Sequence, residues 1–264
     1  MSKTILVFSP HPDDAEFYAG GTLASMTSEG TRVFIVIATD GCCGSFELDS
    51  ASLINIRAQE AQRAAQTLGA EPPLFLGYPD SGLDRLPPGE LRERFIRLIR
   101  QHKPDVVIAE DAWALYEQHP DHRAVAWAVS DALFFSSLPL VHPEHLDQGL
   151  QPHFVIEKFF YGEGIAINKV IDISAFMEKK LAALSEHISQ MTFLVQDILQ
   201  QARRAGLEAL ANARGSDDPM PAIAWAMQTQ AAEVGQRISV QYGEAFRYVR
   251  FHPLIERLIT ESSL

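Results

Sequence analysis

The sequence predicts an α/β fold: an open, mostly parallel, Rossmann-like sheet flanked by helices, with a helical extension towards the C-terminal end. Three observations predict it. Short β-branched apolar runs alternate with longer helical patterns through the first half of the chain, the signature of βαβ units. Polar, proline-containing segments follow several of these runs, where an open parallel sheet displays its ligand-binding loops. From residue 174 onward the pattern is mostly helical.

Taken in order, Thr4–Phe8, Arg32–Ala38, Leu74–Leu76 and Asp105–Ala109 read as strands, with helices over 18–30, 52–69 and 88–103 between them. Gly69 closes the second helix and Pro104 enforces the end of the third. Pro120 suits the first turn of a helix over 120–135, whose Ala124, Val125, Ala128, Val129 and Leu133 form an apolar stripe. Residues 136–152 read as a loop, followed by strands at 153–161 and 167–173. The later helical stretch is interrupted near Gly215-Ser216-Asp217-Asp218-Pro219, and a last strand is expected at 244–250. The organisation expected is an α/β core over 1–173, with 174–264 adding helices and the final strand to the same domain. No internal repeat is visible.

Composition narrows the function. A formal net charge of −12 repels phosphate backbones and anionic lipid, so neither a nucleic-acid nor a membrane partner is expected. The basic stretch Arg92 to Lys103 has helical spacing and reads as a solvated face. Cys42 and Cys43 are adjacent, so no disulfide framework supports an extracellular fold, and a reducing cytoplasm fits best. The apolar run Ile5–Phe8 is too short for a signal peptide or a membrane span.

The chemistry is expected where the strands end. Directly after the first strand stands Ser9-Pro10-His11-Pro12-Asp13-Asp14-Ala15-Glu16. Acids this close repel one another unless a cation or a set of donors is present. After the fourth strand come His119-Pro120-Asp121-His122, two histidines spaced to face one way at a helix start. With His11 and Asp14 they can supply two imidazoles and a carboxylate, a set that leaves hydrolytic zinc an open position for water. His102, His142, His145, His153 and His252 read as structural or surface residues, and His187 is assigned neither way.

These residues resemble the LmbE-like, or PIG-L, zinc de-N-acetylases. The resemblance rests on Pro10 to Glu16, Gly20-Gly21-Thr22, Arg57-Ala58-Gln59-Glu60, Tyr78-Pro79-Asp80-Ser81-Gly82 and His119 to His122. Lys180 to Leu184 with His187 and Ser189-Gln190, and Tyr242 to Phe246, extend it over nearly the whole chain. It implies one Zn2+ per chain, or another divalent metal, held by His11, Asp14 and His122. It further implies Asp13 as general base, and His119 as an acid or an oxyanion donor, expected here as imidazolium. Arg57 and Asp80 are implied as sugar contacts. Neighbouring loop residues point in different directions, which lets Asp14 bind metal while Asp13 reaches the water. Glu16 is expected to help position a ligand. Cys42 and Cys43, in the variable places of a Thr-x-Gly-x-x-Gly pattern, read as small buried hydrophobes.

The expected reaction is zinc-dependent hydrolysis of the acetamide of an N-acetylglucosamine-containing sugar or glycoconjugate. The alternatives are an amidase or deacylase acting on a larger glycoconjugate or thiol conjugate, or a sugar-binding member without turnover. A nucleotide-binding oxidoreductase is disfavoured because the first strand leads into His-Pro-Asp-Asp and not into a glycine-rich turn. The resemblance also implies a homo-oligomer, a trimer or hexamer, with apolar surface on 188–240 as its glue.

Overall fold

The computed structural model describes residues 3–162, 166–207 and 218–250, together with Ile255 and Leu258. The expected break at Gly215 to Asp217 and the reading of His252 lie outside the described residues. The strands are β1 (Thr4–Ser9), β2 (Arg32–Thr39), β3 (Leu74–Tyr78), β4 (Val106–Glu110), β5 (Glu157–Tyr161), β6 (Lys169–Asp172) and β7 (Gly243–Val249). They form a seven-stranded sheet in the order β3-β2-β1-β4-β5-β7-β6. The pairs from β3 through β5 are parallel, while β7 runs antiparallel to both β5 and β6. The chain leaves β1 towards β2 on one side and later returns to β4 on the other, so a topological switch point lies between β1 and β4.

Strand alternation sorts the core into two layers. Ile5, Val7, Val33, Ile35 and Ile108 face one side and pack on Ala19 and Leu23 of α1 (Asp14–Ser28) and on Ala64 and Leu68 of α2 (Ser50–Leu68). Leu6, Phe8, Val36 and Val107 face the other and meet Phe95 and Ile99 of α3 (Glu90–His102) and Val125 and Val129 of α4 (Pro120–Phe135). Both faces are covered, so the central strands are apolar throughout. Among the described residues, further helices are α5 (Glu144–Asp147), α6 (Met177–Glu186), α7 (Ile188–Arg204) and α8 (Met220–Gly235).

Helix ends follow their caps. Asp49 accepts the Ser52 N–H at the start of α2, and Gly69 closes it with φ 81°. Pro120 occupies the first turn of α4, as expected. Three expectations are corrected. α1 begins at Asp14 and not at residue 18, so the acidic run itself enters the helix, where the positive end of the helix dipole favours carboxylates. The 136–152 loop contains the short α5. Within the basic stretch, Arg100 is fully buried and not solvated. Its guanidinium donates to the carbonyls of Ser136, Leu138, Val141 and His142 and so fixes that loop.

The C-terminal segment grips α1 through a buried ion pair. Lys180 Nζ on α6 donates to Glu244 Oε1 on β7 at 2.6 Å and to the Phe17 carbonyl at 2.7 Å. The Glu244 carboxylate accepts the mid-helix N–H groups of Gly21 and Thr22. This close approach explains the paired glycines: a Cβ on Gly20 would sit 3.1 Å from Lys180 Cγ, and one on Gly21 would sit 2.7 Å from Ile173 Cβ.

Candidate active site

The loop after β1 is fastened before it does anything else. The Thr39 N–H and hydroxyl, at the end of β2, both donate to the Pro10 carbonyl. Asp13 has φ 131°, a conformation L residues rarely adopt and one that surrounding contacts must hold in place. Arg57 of α2 supplies those contacts. Its Nη2 donates to the Pro12 carbonyl at 2.8 Å and to Asp13 Oδ1 at 3.1 Å, and its Nη1 donates to the Gly41 carbonyl. The guanidinium lines the cleft, but these bonds go to protein, and its side chain is 3% exposed.

His11, Asp14 and His122 converge from the β1 and β4 ends of the sheet, with ligand atoms within 4.8 Å of one another. Asp14 Oδ2 accepts the His11 backbone N–H at 2.7 Å and lies 3.4 Å from His11 Nδ1, while Asp14 Oδ1 lies 3.5 Å from His122 Nε2. Each imidazole turns its other nitrogen to a carboxylate. His122 Nδ1 is 2.8 Å from Glu110 Oε2. His11 Nε2 lies 3.2 Å from Asp80 Oδ1 and 3.4 Å from Asp121 Oδ2, but at angles that leave it without a hydrogen bond. Carboxylates behind the outer nitrogens of two histidines are the usual support of a metal site.

The electrostatics also call for a cation. Burial alone would lower the pKa of both imidazoles. Instead His11 is raised well above its ordinary value by Asp121, Asp14 and Asp80, and His122 is raised to about 9 by Asp14 and Glu110. Burial opposes ionisation of Asp14, but His122 and His11 outweigh it and hold the carboxyl below the usual range. The carboxylates therefore demand positive charge, which a divalent ion held by His11, Asp14 and His122 would supply in place of protons. The residues present fit such an ion.

Beside them, burial lifts the Asp13 carboxyl to about 6, against the pull of Arg57 and with the push of Asp14. His119 caps α4: its Nδ1 accepts the Asp121 N–H at 3.2 Å, so the neutral ring carries its proton on Nε2. Burial first, then His11 and His122, lower its pKa. The expected imidazolium is thus corrected to a neutral N–H donor, and a nearby metal ion would push the same way. Asp80 accepts the Cys43 N–H and the Ser81 hydroxyl.

These groups open on a cleft of about 340 Å³ lined by Asp13, Asp80, His119, Gly44, Gln190 and Phe193, among others. Gln190 and Phe193 lie on α7, so this C-terminal helix forms one wall of the cleft.

Residues 6–133 match the family described as PIG-L: GlcNAc-PI de-N-acetylase. A diacetylchitobiose deacetylase from Thermococcus kodakarensis is 35% identical over 190 residues, covering 71% of this chain and 70% of the relative. The chain belongs to the PIG-L (LmbE-like) family. A probable N-acetyl-α-D-glucosaminyl L-malate deacetylase from Bacillus anthracis is 28% identical over 75% of this chain and 86% of its own. The PIG-L architecture is equally plain in coordinates. The N,N'-diacetylchitobiose deacetylase of Pyrococcus horikoshii, solved with an inhibitor, superposes with a TM-score of 0.79 at 31% identity. That match covers 94% of this chain and 84% of that one.

Several residues of this PIG-L site escaped sequence reasoning. Glu110 ends the apolar run of β4 as its lone acid, a signal that was available. Asp121 was visible only as part of a motif. It accepts the Ser81 and Leu83 N–H groups and so ties the β3 loop to α4. His187 is fully buried, with Nε2 3.6 Å from Glu16 Oε2 and neither ring nitrogen hydrogen-bonded. Glu16 thus has His187 as an ion-pair partner. Cys42 is half-buried and Cys43 exposed, which corrects their reading as buried hydrophobes. Among the described residues no helix is long and apolar enough to cross a membrane.

Proposed function

We propose that the chain is a zinc-dependent deacetylase that hydrolyses the acetamide of a small N-acetylglucosamine-containing sugar, releasing acetate and a free amine. The observation that carries this reading is the convergence of His11, Asp14 and His122 beside a half-buried, strained Asp13 at the switch point of the sheet. The names of the relatives support the substrate class. The cleft, about 340 Å³ and near the lower end of small-molecule sites, favours a small sugar over a large glycoconjugate.

His11, Asp14 and His122 would hold the zinc, which would supply Lewis acidity for the acetamide carbonyl and the attacking water. Asp13 does the proton work. Arg57 occupies Oδ1, which leaves Oδ2 to take the proton of the water as its oxygen attacks the acetamide carbon. His119 donates its Nε2 proton as a hydrogen bond to the developing oxyanion, with Nδ1 anchored by the Asp121 N–H. The proton on Asp13 then passes to the nitrogen as the C–N bond breaks, so the amine leaves neutral. Arg57 holds the strained base in place, and Asp80, on the cleft wall, faces the sugar while supporting His11.

The test is acetate release from N-acetylglucosamine, diacetylchitobiose and an N-acetylglucosaminyl conjugate, each with zinc present. Asp13→Ala is expected to lower turnover by about 10²–10⁴-fold while zinc content stays the same. Turnover equal to wild type would remove Asp13 from the mechanism.

A further inference from the structure

The loop after β2 carries two adjacent thiols that the reaction does not use. Cys42 Sγ and Cys43 Sγ lie 3.6 Å apart, and Cys43 lines the cleft. Two thiolates bound to one d10 ion at about 2.3 Å and near the tetrahedral angle stand about 3.6–3.8 Å apart. The loop holds the pair in this arrangement. The Cys42 and Asp80 N–H groups both donate to Asp40 Oδ1, and the Cys43 N–H donates to Asp80 Oδ2. Gly41 has φ 68°, and a Cβ there would sit 2.7 Å from Arg57 Nη1. A Cβ on the flanking Gly44 would sit 2.5 Å from Gln190 Oε1. Neither position has room for a side chain. Cys43 is exposed and Cys42 half-buried, and the Cys43 thiol rests 3.7 Å from the Asp80 carbonyl.

We propose that Cys42 and Cys43 form a second, dithiolate site for a soft divalent cation of the zinc–cadmium class, and that its occupation inhibits deacetylation. Soft thiolate pairs select such ions over magnesium or calcium. Binding forms two metal–sulfur bonds and releases two thiol protons to solvent, with water completing the coordination. Inhibition follows from the wiring: Cys43 binds Asp80 through its N–H, and Asp80 Oδ1 sits 3.2 Å from His11 Nε2. A cation on the sulfurs also narrows the cleft at the wall that Cys43 forms. The inhibition, though not the binding, rests on the function proposed above.

The experiment uses the full chain loaded with one equivalent of zinc and titrated with Cd2+. Expected are a thiolate-to-cadmium charge-transfer band in the near ultraviolet that saturates at one equivalent and a fall in free thiols. Acetate release should decline in parallel with the band. Cys42→Ser removes one sulfur and should weaken the band-forming site by about 10²-fold, keeping basal turnover and resisting cadmium. A cadmium ion exchanged into the His11–Asp14–His122 set has no thiolate and gives no band. Absence of the band in the wild type, or an equal band in Cys42→Ser, overturns the site. Equal inhibition of both proteins assigns the effect to the catalytic ion and overturns the inhibitory role. The band and thiol count decide the site even for a chain that releases no acetate.

Discussion

At the scale of single residues, the account turns on which atoms are left free once local bonds are made. His119 Nδ1 is occupied by the N-cap contact, so Nε2 is the donor available to the cleft. His119→Ala is expected to lower turnover by about 10²–10³-fold, the cost of one oxyanion donor, with bound metal unchanged by elemental analysis. Loss of metal together with activity would make His119 a ligand, as the alternative grouping of His11, Asp80, His119 and Asp121 allows. The His-Pro-Asp-Asp and His-Pro-Asp-His runs were legible because strand-end clusters of acids and imidazoles have few structural explanations. The burial and bonding of Arg57 were not legible, because a helix-borne arginine looks the same in sequence whether it faces solvent, a sugar or a loop. The charge state of His119 was misjudged for a related reason: it depends on neighbours brought together from β1 and α4.

At the scale of elements, α1 joins the site to the C-terminal segment. It begins at Asp14 and is held further along by Lys180 and Glu244, which are 4% and 5% exposed. Removing one partner of such a pair leaves the other charge buried. Lys180→Met is therefore expected to cost about 3–5 kcal/mol in denaturant unfolding. The double variant Lys180→Met/Glu244→Gln should cost less than the sum of the two single changes. A single-variant cost below about 1 kcal/mol would mean that the pair does not hold α1. Gly20-Gly21, Lys180 and Glu244 were all visible as motifs, but sequence offered no physical reason for them, since their contacts join residues 64 or more positions apart.

At the scale of the molecule, the parallel half of the sheet was legible because each strand is a buried apolar run bounded by turn signals. The insertion of β7 between β5 and β6 was not, because antiparallel pairing across the C-terminal segment leaves no local trace. Arg100 likewise hid inside a basic helix pattern although it organises the 136–145 loop with His145. That layer carries a pH dependence. Burial opposes ionisation of Glu93, but His145 and Arg97 outweigh it, and its folded pKa lies below the ordinary 4.5. Stability from this contact is present above the unfolded value and lost as pH falls through the folded one. Glu93→Gln should therefore flatten the decline in stability below about pH 4.5; an unchanged acid limb would contradict it. The proposed function sets one cation where the switch point of the sheet and the loops after β1 and β4 meet. An anomalous-scattering map of crystals grown from unchelated protein, recorded at the zinc edge, tests this most directly. The account predicts a peak about 2.0–2.2 Å from His11, Asp14 and His122; a map with no peak there, or with the peak seated instead among Glu110, Glu117 and His122, would contradict it.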